Sequence, residues 1–124
     1  KGRLLAEQCG AEISVLHVME QPYINYAYGE LVAQQYLPSV DELKEQITPT
    51  LHAQLNEAGI SHSHLHIELG APVDNIIERA KEDGFDALVI GSHGRHGLQL
   101  LLGSTANGVL HHAKCDVLAV RVFN

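Results

Sequence analysis

The chain has no tryptophan, one methionine, two cysteines and only eight basic residues among 124, and each scarcity excludes something. Cys9 and Cys115 lie far apart and match neither a zinc-ligand spacing nor a CxxC redox motif. A disulfide-stapled secreted domain and a structural zinc site are thereby excluded, and both thiols are expected to be buried in a reducing cytoplasm. Eight Lys and Arg stand against 15 Asp and Glu, for a net charge of −7 at pH 7. A chain so acidic lacks the basic stripe that grips a phosphate backbone, so nucleic acid is not an expected partner. No apolar run approaches the ~20 residues needed to cross a bilayer. With no signal peptide or lipidation motif in view, the expected location is cytoplasmic, without a membrane partner. The Gly-x-x-x-x-Gly-Lys-Ser/Thr loop of P-loop enzymes is also missing, and no lysine occurs between Lys81 and Lys114 to neutralise outer phosphates.

What is present suits one globular domain over residues 1–124. Apolar residues make up 45% and charged ones 19%, enough to bury ~65% of the unfolded surface at this size. Leu4, Leu5 and Cys9 at helical spacing, then Gly10, mark the end of a helix. A β-branched run through Ile13, Val15, Leu16, His17 and Val18 predicts a buried strand. Residues 19–38 show no sustained period and hold all four tyrosines, Tyr23, Tyr26, Tyr28 and Tyr36; this is either a lid that stacks on a ligand or partner, or a flexible insertion. Ser39 with Glu42 forms a capping box ahead of Val40, Leu43, Ile47, Leu51, Leu55 and Ala58, a long helix with a bend expected at Pro49 and an end at Gly59. Residues 62–69 alternate as an edge strand, with Leu65, Ile67 and Leu69 on one face. Pro72 then opens a helix carrying Val73, Ile76, Ile77 and Ala80 and ending at Gly84. Asp86–Gly91 reads as an apolar strand, residues 92–103 as a glycine-studded loop, Ser104–Ala113 as a short helix and Asp116–Val122 as a last buried strand. Helices and strands alternating in this order predict an α/β fold, a doubly wound parallel sheet with helices on both faces.

In such sheets ligands bind beyond the carboxyl ends of the strands, and one end is richly equipped. Gly91 and Gly94 are expected to turn the backbone through positive φ and to let a ligand lie against the main chain. Gly103, Ser104 and Thr105 open a helix whose free amides and dipole favour an anion. Together they describe a phosphate cradle, although glycines after a strand are also ordinary turn residues.

The run Gly91-Ser92-His93-Gly94-Arg95, the later Gly103-Ser104, and the ending Val109-Leu110-His111-His112-Ala113-Lys114-Cys115-Asp116-Val117-Leu118-Ala119-Val120 resemble the universal stress protein family. Leu16-His17-Val18 is similar to that family's second strand, and Gly70-Ala71-Pro72 to its turn after the third. The resemblance covers essentially the whole chain. It implies a Rossmann-like domain that binds ATP, ADP or AMP, with Mg²⁺ accompanying ATP. Carried over residue by residue, it places Val18 beside adenine and Ile90 and Gly91 near the adenosine. Gly94, Gly103, Ser104 and Thr105 would hold ribose and phosphates, with Arg95 as an added charge or a solvated side chain. The family motif separates its last two glycines by nine residues; Gly94 and Gly103 are separated by eight, which implies a tighter loop with both ends retained. Family members open with a central strand and an Asp-x-Ser-like turn. This chain opens inside the helix that follows, so a preceding strand is expected to be missing and the Asp contact to the base is not assigned. The resemblance also implies a homodimer paired through strand 117–122.

Nine histidines raise the question of a metal. His62, His64 and His66 on one strand face would stand ~7 Å apart, too far for joint ligation of one ion, so a solvated edge is expected. His93 and His96 flank the glycine loop with no nucleophile placed for them to activate. His111, His112 and Lys114 suit the end of a helix dipole. The functional expectation is a nucleotide-dependent stress-response module that reports to a protein partner not identifiable from sequence. The alternatives are a slow ATPase or nucleotidyl-transfer enzyme on the same architecture, or a relative that has lost its nucleotide.

Overall fold

A computed structural model of the chain describes residues 1–20, 39–93 and 103–122. Helices and strands alternate as expected: α1 (Gly2–Cys9), β1 (Val15–Met19), α2 (Val40–Ala58), a 3₁₀ turn (His62–His64), β2 (Leu65–Leu69), α3 (Pro72–Glu82), β3 (Ala87–His93), α4 (Ser104–His112) and β4 (Asp116–Val122). The class is α/β with parallel strands. Two compact units are present, Arg3–Gly70 and Ala71–Asn124, the latter with Lys1 and Gly2. Most of the tyrosine-bearing loop, residues 21–38, lies outside the described residues.

In the first unit β1 and β2 pair in parallel, from Val15 opposite Leu65 to Met19 opposite Leu69. Gly10, at φ 65, takes the left-handed turn that stops α1. Ser39 caps α2, its hydroxyl accepting from the Glu42 amide at 3.1 Å and satisfying one of the donors a helix start leaves over, without the return bond from the Glu42 carboxylate that a full capping box has. The helix continues through Pro49 to Gly59, whose φ of 72 closes it. Leu51 and Leu55 are its buried residues.

The edge strand expected over 62–69 is shorter, beginning at Leu65. Ser61 accepts from the Ser63 amide at 3.3 Å and caps a tight turn over His62–His64. His62 is held there by Asn56 Oδ1, 2.8 Å from its Nε2, and by the ring of His52, stacked 3.9 Å away. These contacts remove His62 and His64 from the strand face that the alternation predicted for them.

In the second unit β3 and β4 pair in parallel from Ala87 opposite Asp116 to His93 opposite Val122. Pro72 occupies the first turn of α3, where its missing N–H costs nothing, and Gly84, at φ 68, follows its end. Arg79 pairs with Asp83 one turn on, at 3.2 Å. Helix α4 packs on α3 and on both strands. Its Ala106 and Val109 are 1% and 0% exposed.

The strands expected to be buried are only partly so. Val89 is 46% exposed and Leu118 43%, each in a sheet that has two strands among the described residues. The cysteines also depart from expectation, Cys9 being exposed and Cys115 half-buried. Cys9 is the last residue of α1, a helix with no buried residue. Among the described residues no helix is long and apolar enough to cross a membrane.

Candidate functional site

The expected phosphate cradle divides between β3 and α4, both in the second unit. Strand β3 carries Ile90, half-buried, and Gly91, exposed, and continues through Ser92 to His93. Gly91 is therefore not the turn residue the sequence suggested: it is extended, in register with Val120, and absent from the glycines at positive φ. The ladder outlasts the apolar run because Val120, Arg121 and Val122 continue to offer partners. Gly91 is a strand position without a side chain near the carboxyl end of β3.

Helix α4 runs back between two parallel strands, so its N-terminus stands at the carboxyl end of both. Gly103 is its cap residue and makes no side-chain cap hydrogen bond. The first helical bond closes from the Asn107 amide to the Gly103 carbonyl at 2.9 Å. The amides of Ser104, Thr105 and Ala106 precede it and have no acceptor within the helix. Ser104 is exposed and Thr105 half-buried, so two hydroxyls lie beside those amides.

Gly103 is informative for what it does not need. Its φ of −60 and ψ of 162 suit any residue, and no described atom lies within 4 Å of where a Cβ would stand. Neither backbone strain nor packing among the described residues calls for glycine here. The described residues leave the space beside it open, at the positive end of a helix, as the backbone approach of an anion requires.

Two residues were not singled out from the sequence. Gly108, inside α4, would place a Cβ 2.7 Å from Val73 Cγ2, so it sets how closely α4 approaches α3 and hence where the helix start stands. A glycine inside a short helix, unfavourable by about 1 kcal/mol against alanine, is the signal that marks it. Ser92 donates its hydroxyl to the Val120 carbonyl at 3.3 Å, tying β3 to β4 at the carboxyl end. Of the other residues expected at the site, Gly94 and Arg95 lie outside the described residues. Val18 belongs to the first unit, half-buried near the end of β1 and opposite Glu68.

The family model for the universal stress protein family matches residues 2–121. Universal stress protein A homolog 2 of Coxiella burnetii is 39% identical over 123 residues, covering 98% of this chain and 82% of that protein. Universal stress protein YxiE of Bacillus subtilis is 30% identical over 127 residues, covering 94% and 84%. Among solved structures, hypothetical protein MJ0577 superposes with a TM-score of 0.65 at 25% identity, over 92% of this chain and 78% of that one. Universal stress protein UspA from Lactobacillus plantarum shares the fold, with a TM-score of 0.64 at 23% identity over 97% and 84%. The match of the family model over nearly the whole chain, together with relatives aligned over most of their own length, shows that the chain belongs to the universal stress protein family.

Proposed function

We propose that this universal stress protein binds an adenine nucleotide (ATP, ADP or AMP, with Mg²⁺ accompanying ATP) and acts as a ligand-dependent binding module for a protein partner. The adenosine would lie along Ile90 and Gly91, and the phosphates on the amides of Ser104, Thr105 and Ala106 with the Ser104 and Thr105 hydroxyls. The observation that carries this reading is Gly103: a glycine at a helix start whose φ does not require it, with no atom of the described residues within 4 Å of where a Cβ would stand and no side-chain cap among them. Gly94 and Arg95 would extend the same cradle on the resemblance described above. The reading includes a second copy of the chain, paired along β4, whose Leu118 is 43% exposed.

Thermal denaturation with and without nucleotide tests the binding. A ligand at 100 times its Kd adds ~2.7 kcal/mol of stability, so the melting temperature rises with at least one of ATP, ADP and AMP. Ser104→Ala reduces that rise while leaving the melting of the free protein near wild type. A flat response to all three nucleotides would refute the proposal. Phosphate release with ATP and Mg²⁺ separates a module from an enzyme: turnover above ~1 s⁻¹, the lower end of kinase rates, would make it an enzyme.

A further inference from the structure

The amides at the start of α4 carry a limited charge. A helix N-terminus is equivalent to about half an elementary charge, a fair match for one phosphate group and a poor one for two or three, in a chain whose net charge is already −7. A longer phosphate chain held at this end calls for a cation there. On or between α3, β3, α4 and β4 the described residues include four Lys and Arg side chains. Arg79 and Lys81 lie in the last turn of α3, Arg79 paired with Asp83, and Lys114 precedes β4. All three stand at the amino end of the strands, away from the cradle. Arg121 stands at the other end.

Three features place Arg121 beside the cradle. It is in register with Ser92, one residue from the end of β3 on the side where strands of this class receive ligands. It shares a sheet face with Ser92, Ile90, Leu88 and Val117, through the pairings Leu88–Val117, Ile90–Ala119 and Ser92–Arg121. The opposite face carries Val89 and Leu118 at 46% and 43% exposure with Val120 half-buried, while Leu88, Ile90 and Val117 are half-buried and Ala119 exposed; on this balance α4, which contacts both strands, lies over the Leu88 face. The height also agrees. Eight residues of helix rise ~12 Å from His112 to Ser104 and five residues of strand rise ~16 Å from Asp116 to Arg121. By these rises the first turn of α4 and Arg121 differ by ~4 Å in level along the strand direction. Arg121 is exposed there, and a guanidinium with five donors can hold an oxyanion while keeping a protein partner.

We infer that Arg121 is the countercharge for the outer phosphates of the bound nucleotide and sets a preference for the longer phosphate chain. This rests on the nucleotide reading above, and it adds a residue and a selectivity to that reading. Planar, bidentate recognition of phosphate suits Arg better than Lys, so charge alone is not an equivalent substitute.

Titration calorimetry with ATP, ADP and AMP at fixed ionic strength, with EDTA to remove any metal that could stand in for the side chain, tests it. Wild type binds ATP more tightly than AMP. Arg121→Gln weakens ATP about tenfold or more, the range expected for a hydrogen bond to a charged group, and leaves AMP within about twofold, so the ATP-to-AMP ratio collapses; Arg121→Lys keeps an intermediate ratio. A ratio unchanged in Arg121→Gln overturns the inference, whether both affinities hold or fall together. If Arg121→Gln fails to fold by circular dichroism, Arg121→Lys carries the test, and a wild-type ratio there overturns it equally. Should wild type bind none of the three, either in EDTA or with Mg²⁺ restored, the nucleotide reading itself falls and this inference with it. Nucleotide binding by wild type with an unaltered ratio in the variants removes the role of Arg121 alone.

Discussion

Gly103 separates ligand binding from folding at the scale of one residue. Most glycines that cannot be replaced are held by a positive φ, as Gly59 is at 72, or by a neighbour in contact, as Gly108 is by Val73. Gly103 has neither constraint among the described residues, so a side chain there should harm binding without harming the fold. Aspartate makes the contrast sharpest. Its carboxylate would cap the amides of Thr105 or Ala106 and complement the helix dipole, adding about 0.3–1 kcal/mol to the stability of the free protein. The same carboxylate would occupy the place of a phosphate and repel the next one. Gly103→Asp is therefore expected to melt higher than wild type when free and to lose at least about tenfold in nucleotide affinity, the loss expected when a charged hydrogen-bonding site is taken away. Thermal melts and calorimetry on one preparation read both effects. A variant that is stabilised yet binds nucleotide as wild type does would show that the α4 start is not the phosphate site.

Among the elements, α4 is positioned by its contact with α3. Gly108→Ala ought to stabilise an isolated helix by about 1 kcal/mol, but here the new Cβ would meet Val73 Cγ2 at 2.7 Å. Overpacking of this kind costs about 1–3 kcal/mol, so urea unfolding is expected to show a net loss. The double variant Val73→Ala, Gly108→Ala should recover part of it, since the clash disappears with the methyl groups. An additive pair would mean that the helices do not meet at these residues. The elements differ in how far the sequence revealed them. Both ends of α2 were legible because Ser39 and Gly59 act locally, through a hydroxyl and a left-handed turn. Gly91 in an extended strand and the tight turn at His62–His64 were not, because each depends on partners distant in sequence. Val120 and its neighbours draw the ladder past Gly91, and Asn56 and His52 hold His62. The site was legible to the same extent: the helix start is a local motif, whereas Ser92 and Arg121 meet only through strand register.

For the whole molecule, charge and assembly point to different surfaces. A net charge of −7 disfavours non-specific association between copies, so a dimer must rest on a surface that is locally apolar. Strand β4 offers one: it has the ladder to β3 along one edge, and Leu118 is 43% exposed. An edge strand with an apolar face is a template for pairing, and lysine on such an edge is a common way of blocking it. Wild type is accordingly expected to scatter light as a particle of twice the 13.5 kDa chain mass at about 100 µM, a concentration that would populate even a micromolar dimer. Leu118→Lys should scatter as a monomer. Because Leu118 is already partly in solvent, that substitution is expected to cost the monomer's fold about 1 kcal/mol or less, by loss of part of one side chain's burial. Circular dichroism of the variant separates loss of the dimer from loss of structure. A folded Leu118→Lys that still forms dimers would move the interface away from β4, and a wild type that stays monomeric at this concentration would remove the second copy from the proposed function.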